Sequence, residues 1–316
     1  MTNTKTGPAS TYSVYPEETF NNTWPYAPNF EEISGFKMHY IDEGEGEVIL
    51  ALHGEPTWGY LFRQLIHELS SDYRVIVPDH MGFGKSETPQ HRDYLLQDHI
   101  NNLEELVLRL DLNDITLVMH DFGGPVGMGL AIRHPDRIKR IISTNGPTPM
   151  GQPGLFDALK KNGAASPWFS WIFKAYDAGV LEEVLGQLDY NILSTLKLNG
   201  FENNSLITDT WLWAYRSPFK TPAHTLGAIG WAKGFAEGKH QFEPIDALTA
   251  KKLSRKPAMA IWGMEDKTLN PEFFLPLFQE AFPDGEIHRL EGVGHYSLED
   301  APEEIAKLVK AFLKKH

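Results

Sequence analysis

Short apolar runs that do not alternate with polar residues set the strongest limit on how this chain can fold. Val48-Ile-Leu-Ala-Leu52 and Ile115-Thr-Leu-Val-Met119 present apolar side chains to both faces of a strand. A strand can bury both faces only within a sheet that helices cover on each side. Phe36–Ile41, Arg74–Pro78 and Ile138–Ser143 are further β-rich runs, and helical patterns fall between them. Ahead of Ile115, the residues Ile100, Leu103, Val107 and Leu110 recur at helical spacing, while Asp98, Glu104, Glu105 and Arg109 fall mostly elsewhere. That is an amphipathic helix packed on a sheet. The alternation predicts an α/β protein with a mostly parallel sheet flanked by crossover helices.

The rhythm breaks after Asn145. Gly146-Pro-Thr-Pro-Met-Gly-Gln-Pro-Gly154 reads as a hinge, and the aromatic helical region that follows reaches about Ile229. Residues 150–229 are therefore expected to form an inserted helical cap on a core domain made of 1–149 and 230–316. With 316 residues, 41% of them hydrophobic, the chain can bury a core and carry such an insertion. The α/β pattern resumes with a strand at Ala258–Trp262, a helix at Pro271–Phe282 and a strand at Glu286–Leu290. A last helix has one apolar stripe of Ile305, Leu308, Val309, Phe312 and Leu313, with lysines at its C-terminal end, where the helix dipole favours them.

A formal net charge of −13 opposes binding to nucleic acid phosphates or anionic lipid and leaves a small apolar organic substrate as the fitting partner. Cysteine is absent, which removes disulfides and thiolate chemistry. Met1–Phe20 lacks the basic start and apolar run of a signal peptide, and no stretch approaches the roughly 18 apolar residues of a membrane span. A cytoplasmic monomer or weak dimer is the expectation. Gly84-Lys85-Ser86 hints at a phosphate loop, but Asp79 stands where that motif needs its first glycine. Without a His-Glu-x-x-His or comparable cluster, neither a metal nor a cofactor is expected.

Chemistry concentrates where the strand ending at Met119 runs into His120-Asp121-Phe122-Gly123-Gly124 and a helical segment from Pro125 to His134. Strand, sharp turn and helix make a nucleophile elbow of the α/β-hydrolase type, with Asp121 where serine enzymes carry Ser. An Asp there could also serve only as a helix N-cap, so the partners matter. His53-Gly54-Glu55-Pro56-Thr57-Trp58 follows a strand at the place that supplies one oxyanion-hole N–H, from Glu55; the residue after the nucleophile, Phe122, supplies the other. Near the C-terminus, Gly292-Val-Gly-His295 follows the last strand. Trp262-Gly-Met-Glu-Asp266 follows the strand before it, and Asp266 is preferred to Glu265 by its place in the turn. Nucleophile, acid and histidine then come in the chain order of this fold.

With these elements in place, the sequence resembles the haloalkane dehalogenase family from about Tyr26 to Phe312. The resemblance is carried by Met38-His-Tyr-Ile-Asp-Glu-Gly44, His53–Trp58, Pro78-Asp-His-Met-Gly-Phe-Gly-Lys-Ser86, the Asp elbow, Ala214-Tyr-Arg-Ser-Pro-Phe219 and Gly294-His295. Glu55 and the acid at Asp266 resemble the subfamily that accepts small haloalkanes. There, a cap tryptophan and the tryptophan after the nucleophile donate indole N–H groups to the leaving halide. Trp168-Phe-Ser-Trp171 stands about where the first is expected, which makes Trp171, with Trp168 beside it, the halide-site candidate; Phe122 replaces the second. A hydrogen bond to an ion is worth about 1.5–3 kcal/mol, roughly 10- to 100-fold in rate if made in the transition state.

A carboxylate is already ionised at neutral pH and attacks without a base. The resemblance implies attack by Asp121 at an sp³ carbon, then hydrolysis of the alkyl ester by water that His295, oriented by Asp266, deprotonates; Glu55 would help to hold that water. Epoxide hydrolases of similar fold use two cap tyrosines to protonate the opening ring, and Tyr176, Tyr190 and Tyr215 are available by composition but form no clear pair. A non-catalytic receptor on the same scaffold is the remaining alternative, since fold does not fix function.

Overall fold

The computed structural model describes residues 13–316, so most of the stretch read above for a signal peptide lies outside the described residues. Eight strands form one sheet: β1 (Asn29–Ile33), β2 (Phe36–Glu43), β3 (Val48–Leu52), β4 (Arg74–Pro78), β5 (Ile115–His120), β6 (Ile138–Thr144), β7 (Ala258–Gly263) and β8 (Glu286–Leu290). Their order is β1-β2-β4-β3-β5-β6-β7-β8. From β4 to β8 every neighbour is parallel, whereas β2 runs antiparallel to β1 and β4. The expected mostly parallel sheet is present, with an antiparallel edge that the sequence pattern did not resolve. β1 is the strand that pattern missed. Its residues Asn-Phe-Glu-Glu-Ile sit at the sheet edge and only Ile33 is buried, so the sequence carries almost no apolar signal there.

Pleating explains the continuous apolar runs. Ile49 and Ala51 join a core with Leu65 and Ile66 of α1 (Arg63–Leu69) and Val309 and Phe312 of α13 (Pro302–Lys315). Leu50 and Leu52 point the other way, into a core with Ile100 and Leu103 of α2 (Leu96–Arg109), Val126 of α3 (Gly123–Arg133) and Phe278 of α11 (Pro271–Ala281). Helices thus cover both faces, as a strand apolar on both sides requires. In α2, the Asp98 carboxylate accepts the Leu95 N–H at 3.1 Å and closes the first turn.

Between β6 and β7 the chain leaves the sheet for a helical insertion: α4 (Leu155–Ala165), α5 (Pro167–Asp177), α6 (Leu181–Leu185), α7 (Leu188–Asn199), α8 (Asp209–Arg216), α9 (Leu226–Ala236) and α10 (Ala247–Leu253). Ser166 caps α5 by accepting the Phe169 N–H, with Pro167 in the first turn, where its missing N–H costs nothing. The boundary expected at residue 229 falls inside α9, because Ala228, Ile229, Trp231 and Ala232 continue one buried helical pattern through it. A short α12 (Ser297–Asp300) precedes α13. No helix among the described residues is long and apolar enough to cross a membrane.

Ile142, fully buried, lies in β6 with Val118 of β5 and Met259 of β7 as its register partners. Ile142→Ala should lower the unfolding free energy by about 3 kcal/mol, the usual loss for a large-to-small core change, with an unchanged denaturant slope in urea unfolding.

Candidate active site

The elbow after β5 holds Asp121 at φ +49°, a left-handed conformation that costs a non-glycine residue of order 1 kcal/mol or more. The turn is pinned from both sides: the Asp121 N–H donates to the Asn145 carbonyl at 3.2 Å, and the Gly124 N–H donates to the Asp121 carbonyl at 2.9 Å. A Cβ at Gly123 would overlap the Leu52 carbonyl, and one at Gly54 would overlap the Asp121 carboxylate. Glycine at those two positions lets the β3 loop and α3 close around the acid.

Asp121 Oδ1 accepts the Glu55 N–H at 2.9 Å. The Phe122 N–H also addresses this carboxylate. Oδ2 faces His295 Nε2 at 3.5 Å, an ion-pair separation too long for a good hydrogen bond. On the far side of the imidazole, His295 Nδ1 meets Asp266 Oδ2 at 3.0 Å. Asp266 is held in turn by Asn145 Nδ2 at 2.8 Å and by the N–H groups of Thr268 and Leu269, each at 2.8 Å. Glu265, the alternative acid, is exposed. His295 is itself fixed by its own N–H on the Gly200 carbonyl at 2.9 Å. The ends of β5, β7 and β8 therefore bring Asp121, Asp266 and His295 into one line.

Charge follows from this geometry. Burial disfavours the imidazolium, but the two carboxylates outweigh it, Asp266 first, and push His295 up to about 10. Burial would likewise raise Asp121, yet His295 and the local N–H groups hold it below its ordinary value, so it stays ionised. His295 has the higher pKa in the folded state. The stability it adds is present in full below its ordinary 6.5 and is lost as pH rises through about 10.

Glu55 behaves differently. Both its carboxyl oxygens are buried with no hydrogen-bond partner among the described residues. Burial, and then the charge on Asp121, push its pKa well above the ordinary value.

An apolar cavity of about 50 Å³ borders Asp121 and Glu55, walled by Phe122, Pro125, Pro147, Trp168, Phe169, Trp231, Phe235 and neighbours. Trp168 lines it and Trp171 does not. Trp171 stacks on Trp168 at 5.2 Å between ring centroids and is only half-buried. Phe122 packs beneath Trp231, which thus stands over the position where sequence comparison expects an indole after the nucleophile. Trp168 and Trp231 both line the cavity. No tyrosine lines the cavity. Tyr215 donates to the buried carboxylate of Glu299, which also pairs with Arg63; Tyr176 bonds Glu237 at 3.0 Å, and Tyr190 is exposed. Lys85 spends its ammonium on the Pro16 and Glu18 carbonyls at 2.6 and 2.8 Å, which accounts for the Gly-Lys-Ser hint as a tether.

A profile of the alpha/beta hydrolase fold family matches residues 47–302. The chain belongs to that family. It is 31% identical to the cis-3-alkyl-4-alkyloxetan-2-one decarboxylase of Shewanella oneidensis over 92% of this chain and 89% of that one. It is 29% identical to a haloalkane dehalogenase of Psychrobacter cryohalolentis over 97% of this chain and 96% of that one. A mutant of an epoxide hydrolase from Bacillus megaterium superposes with a TM-score of 0.74 at 25% identity, over 90% of this chain and all of that one. The chain is a haloalkane dehalogenase-like α/β hydrolase, and an enzyme.

Sequence reasoning missed several residues of this hydrolase's site. Asn145, at the end of β6, links Asp266 to the Gly263 N–H, accepted at 3.1 Å; only its place after a strand could have flagged it. His120 Nε2 meets the His295 carbonyl at 3.0 Å, and burial with the nearby His295 charge depresses it to about 3, so it is a neutral brace. His240 receives the Leu96 N–H at 3.1 Å and donates to the Trp231 carbonyl at 2.8 Å, tying the helical insertion to α2 beside the cavity. Asp121→Asn removes one of the two carboxylates facing His295. Its imidazole pKa, followed by NMR of the ring, should then fall by at least one unit from near 10; an unchanged value would mean that Asp266 alone sets the charge.

Proposed function

We propose that this hydrolase cleaves carbon–halogen bonds of haloalkanes, giving alcohol and halide through an alkyl ester on Asp121. The observation that carries it is an ionised Asp121 beside a small apolar cavity that two tryptophans, Trp168 and Trp231, and no tyrosine line. Asp121 Oδ2 attacks the halogen-bearing carbon, and the halide leaves with the bonding pair. A halide needs hydrogen bonds but no proton, which Trp168 and Trp231 supply and an opening epoxide could not use as an acid. Trp231 takes over the role lost at Phe122, and Trp168 replaces Trp171 as the insertion's donor.

Ester formation neutralises Asp121. His295 then faces one carboxylate instead of two, loses its proton to solvent and becomes the base that activates water for attack on the ester carbon. Oδ1, now the ester carbonyl oxygen, already lies on the Glu55 N–H, so the developing oxyanion finds its donors in place. The proton returns to the departing alcohol through His295, and Asp266 keeps the ring aligned. The Glu55 carboxyl, whose two oxygens have no hydrogen-bond partner among the described residues, holds the water.

A second reading is favoured by the name of the Shewanella relative. Asp121 displacing the ring oxygen of a four-membered lactone would release a carboxylate, again an anion in need of donors, and loss of carbon dioxide would expel Asp121 and leave an alkene. That sequence uses no water. Incubating the enzyme with 1-bromobutane, 1-chlorobutane, a dialkyl oxetan-2-one and a small epoxide separates the readings. Halide release is expected; alkene without halide moves the enzyme to the second reading, diol alone to epoxide hydrolysis, and no turnover of any to a receptor. Trp168→Phe with Trp231→Phe should slow halide release about 10- to 100-fold, and chloride more than bromide, because the poorer leaving group depends more on hydrogen bonds formed in the transition state.

A further inference from the structure

The cavity at Asp121 has a volume of about 50 Å³, little more than one water's share of the liquid, about 30 Å³. A second cavity of about 270 Å³ shares five of its lining residues, Leu159, Phe169, Phe235, His240 and Phe242, so the two adjoin, between α4, α5 and α9. At the outer end stand Phe156, 75% exposed, and Phe173, 39% exposed, two large apolar side chains left in water at the mouth.

The outer cavity has little to offer a polar ligand. His240 has both ring nitrogens engaged, by the Leu96 N–H and the Trp231 carbonyl. Asn162 donates to the Thr268 carbonyl at 2.9 Å and accepts the Asn270 N–H at 3.0 Å. Lys160 is the exception, and it is exposed at the rim. Two adjoining apolar cavities, the inner one at a nucleophile, fit an unbranched hydrocarbon chain whose reactive carbon is at its end. We propose that the outer cavity is the binding site for the alkyl tail of the substrate, which makes this a long-chain enzyme rather than one for the small haloalkanes the sequence suggests. The reaction at the tail's end is the one proposed above, on which the choice of a bromoalkane as probe rests.

Gly163 gives a clean test. It lies in α4 on the wall of the outer cavity, and a Cβ there would meet only the Phe173 ring at 3.6 Å, an ordinary contact. Leucine at that position favours the helix over glycine, so Gly163→Leu should fold and at the same time narrow the outer cavity. Each methylene buried multiplies kcat/KM by about fourfold. On wild type, kcat/KM for 1-bromooctane should therefore exceed that for 1-bromopropane at least 30-fold, and Gly163→Leu should cut this ratio at least tenfold while its melting temperature holds or rises. A flat chain-length profile, or an unaltered ratio in the variant, overturns the alkyl-tail site. Binding of 1-octanol and 1-propanol, followed by tryptophan fluorescence, decides the matter even if no bromoalkane turns over. Tighter octanol binding that Gly163→Leu abolishes upholds the site with a different reaction, whereas equal binding of the two alcohols overturns it.

Discussion

The imidazole of His295, buried between the carboxylates of Asp121 and Asp266, is the interaction that the rest of the structure serves. Two acids and one base in a dry interior carry a net negative charge, which would be costly if the protein did not answer it with fixed dipoles. It does so at both ends. Asp266 receives two backbone N–H groups and the Asn145 amide, and Asp121 receives the Glu55 N–H at the start of α3, where the helix dipole also favours an anion. Each of these donors is placed by the end of a strand, so the parallel order of the sheet is what makes the charge arrangement affordable.

In the proposed reaction, the same arrangement gives the two halves of the chemistry their sequence in time. With both carboxylates ionised, His295 is a cation and cannot act as a base, but Asp121 needs none. In the proposed reaction, alkylation of Asp121 removes one of the two charges that raise His295 and turns it into the base that only the second half requires. Glu55 extends this logic, since the charge on Asp121 is one of the two causes that raise its pKa. Its backbone holds the nucleophile, and its side chain borders a cavity walled mostly by apolar and aromatic groups.

Much of the fold was legible because the physics that shapes it is local. Val48–Leu52 and Arg74–Pro78 were read with their observed bounds, since apolar runs between turn signals admit few other structures; Glu286–Leu290, with only two apolar residues, was read from its place in the α/β alternation. β1 was not legible because an edge strand needs little apolar surface. Asp121, Asp266 and His295 could be named because glycine-flanked turns after strands leave a mark in sequence. Trp231 and Trp168 could not be sorted from Trp171 in the same way. All three lie on aromatic helices of similar character, and which indole reaches the cavity depends on how α5 and α9 pack, a property of the tertiary structure alone. Asn145 and His240 act through single hydrogen bonds to distant parts of the chain, and no local pattern announces them.

The central claim, a carboxylate nucleophile that needs no base followed by a hydrolysis that does, is tested most directly by intact mass spectrometry of His295→Ala mixed with 1-bromooctane. The account predicts that the protein gains the mass of one octyl group within the time of a wild-type turnover, that the gain maps to Asp121 after proteolysis, and that it persists. An unmodified His295→Ala protein, under conditions in which wild type releases bromide, would contradict it.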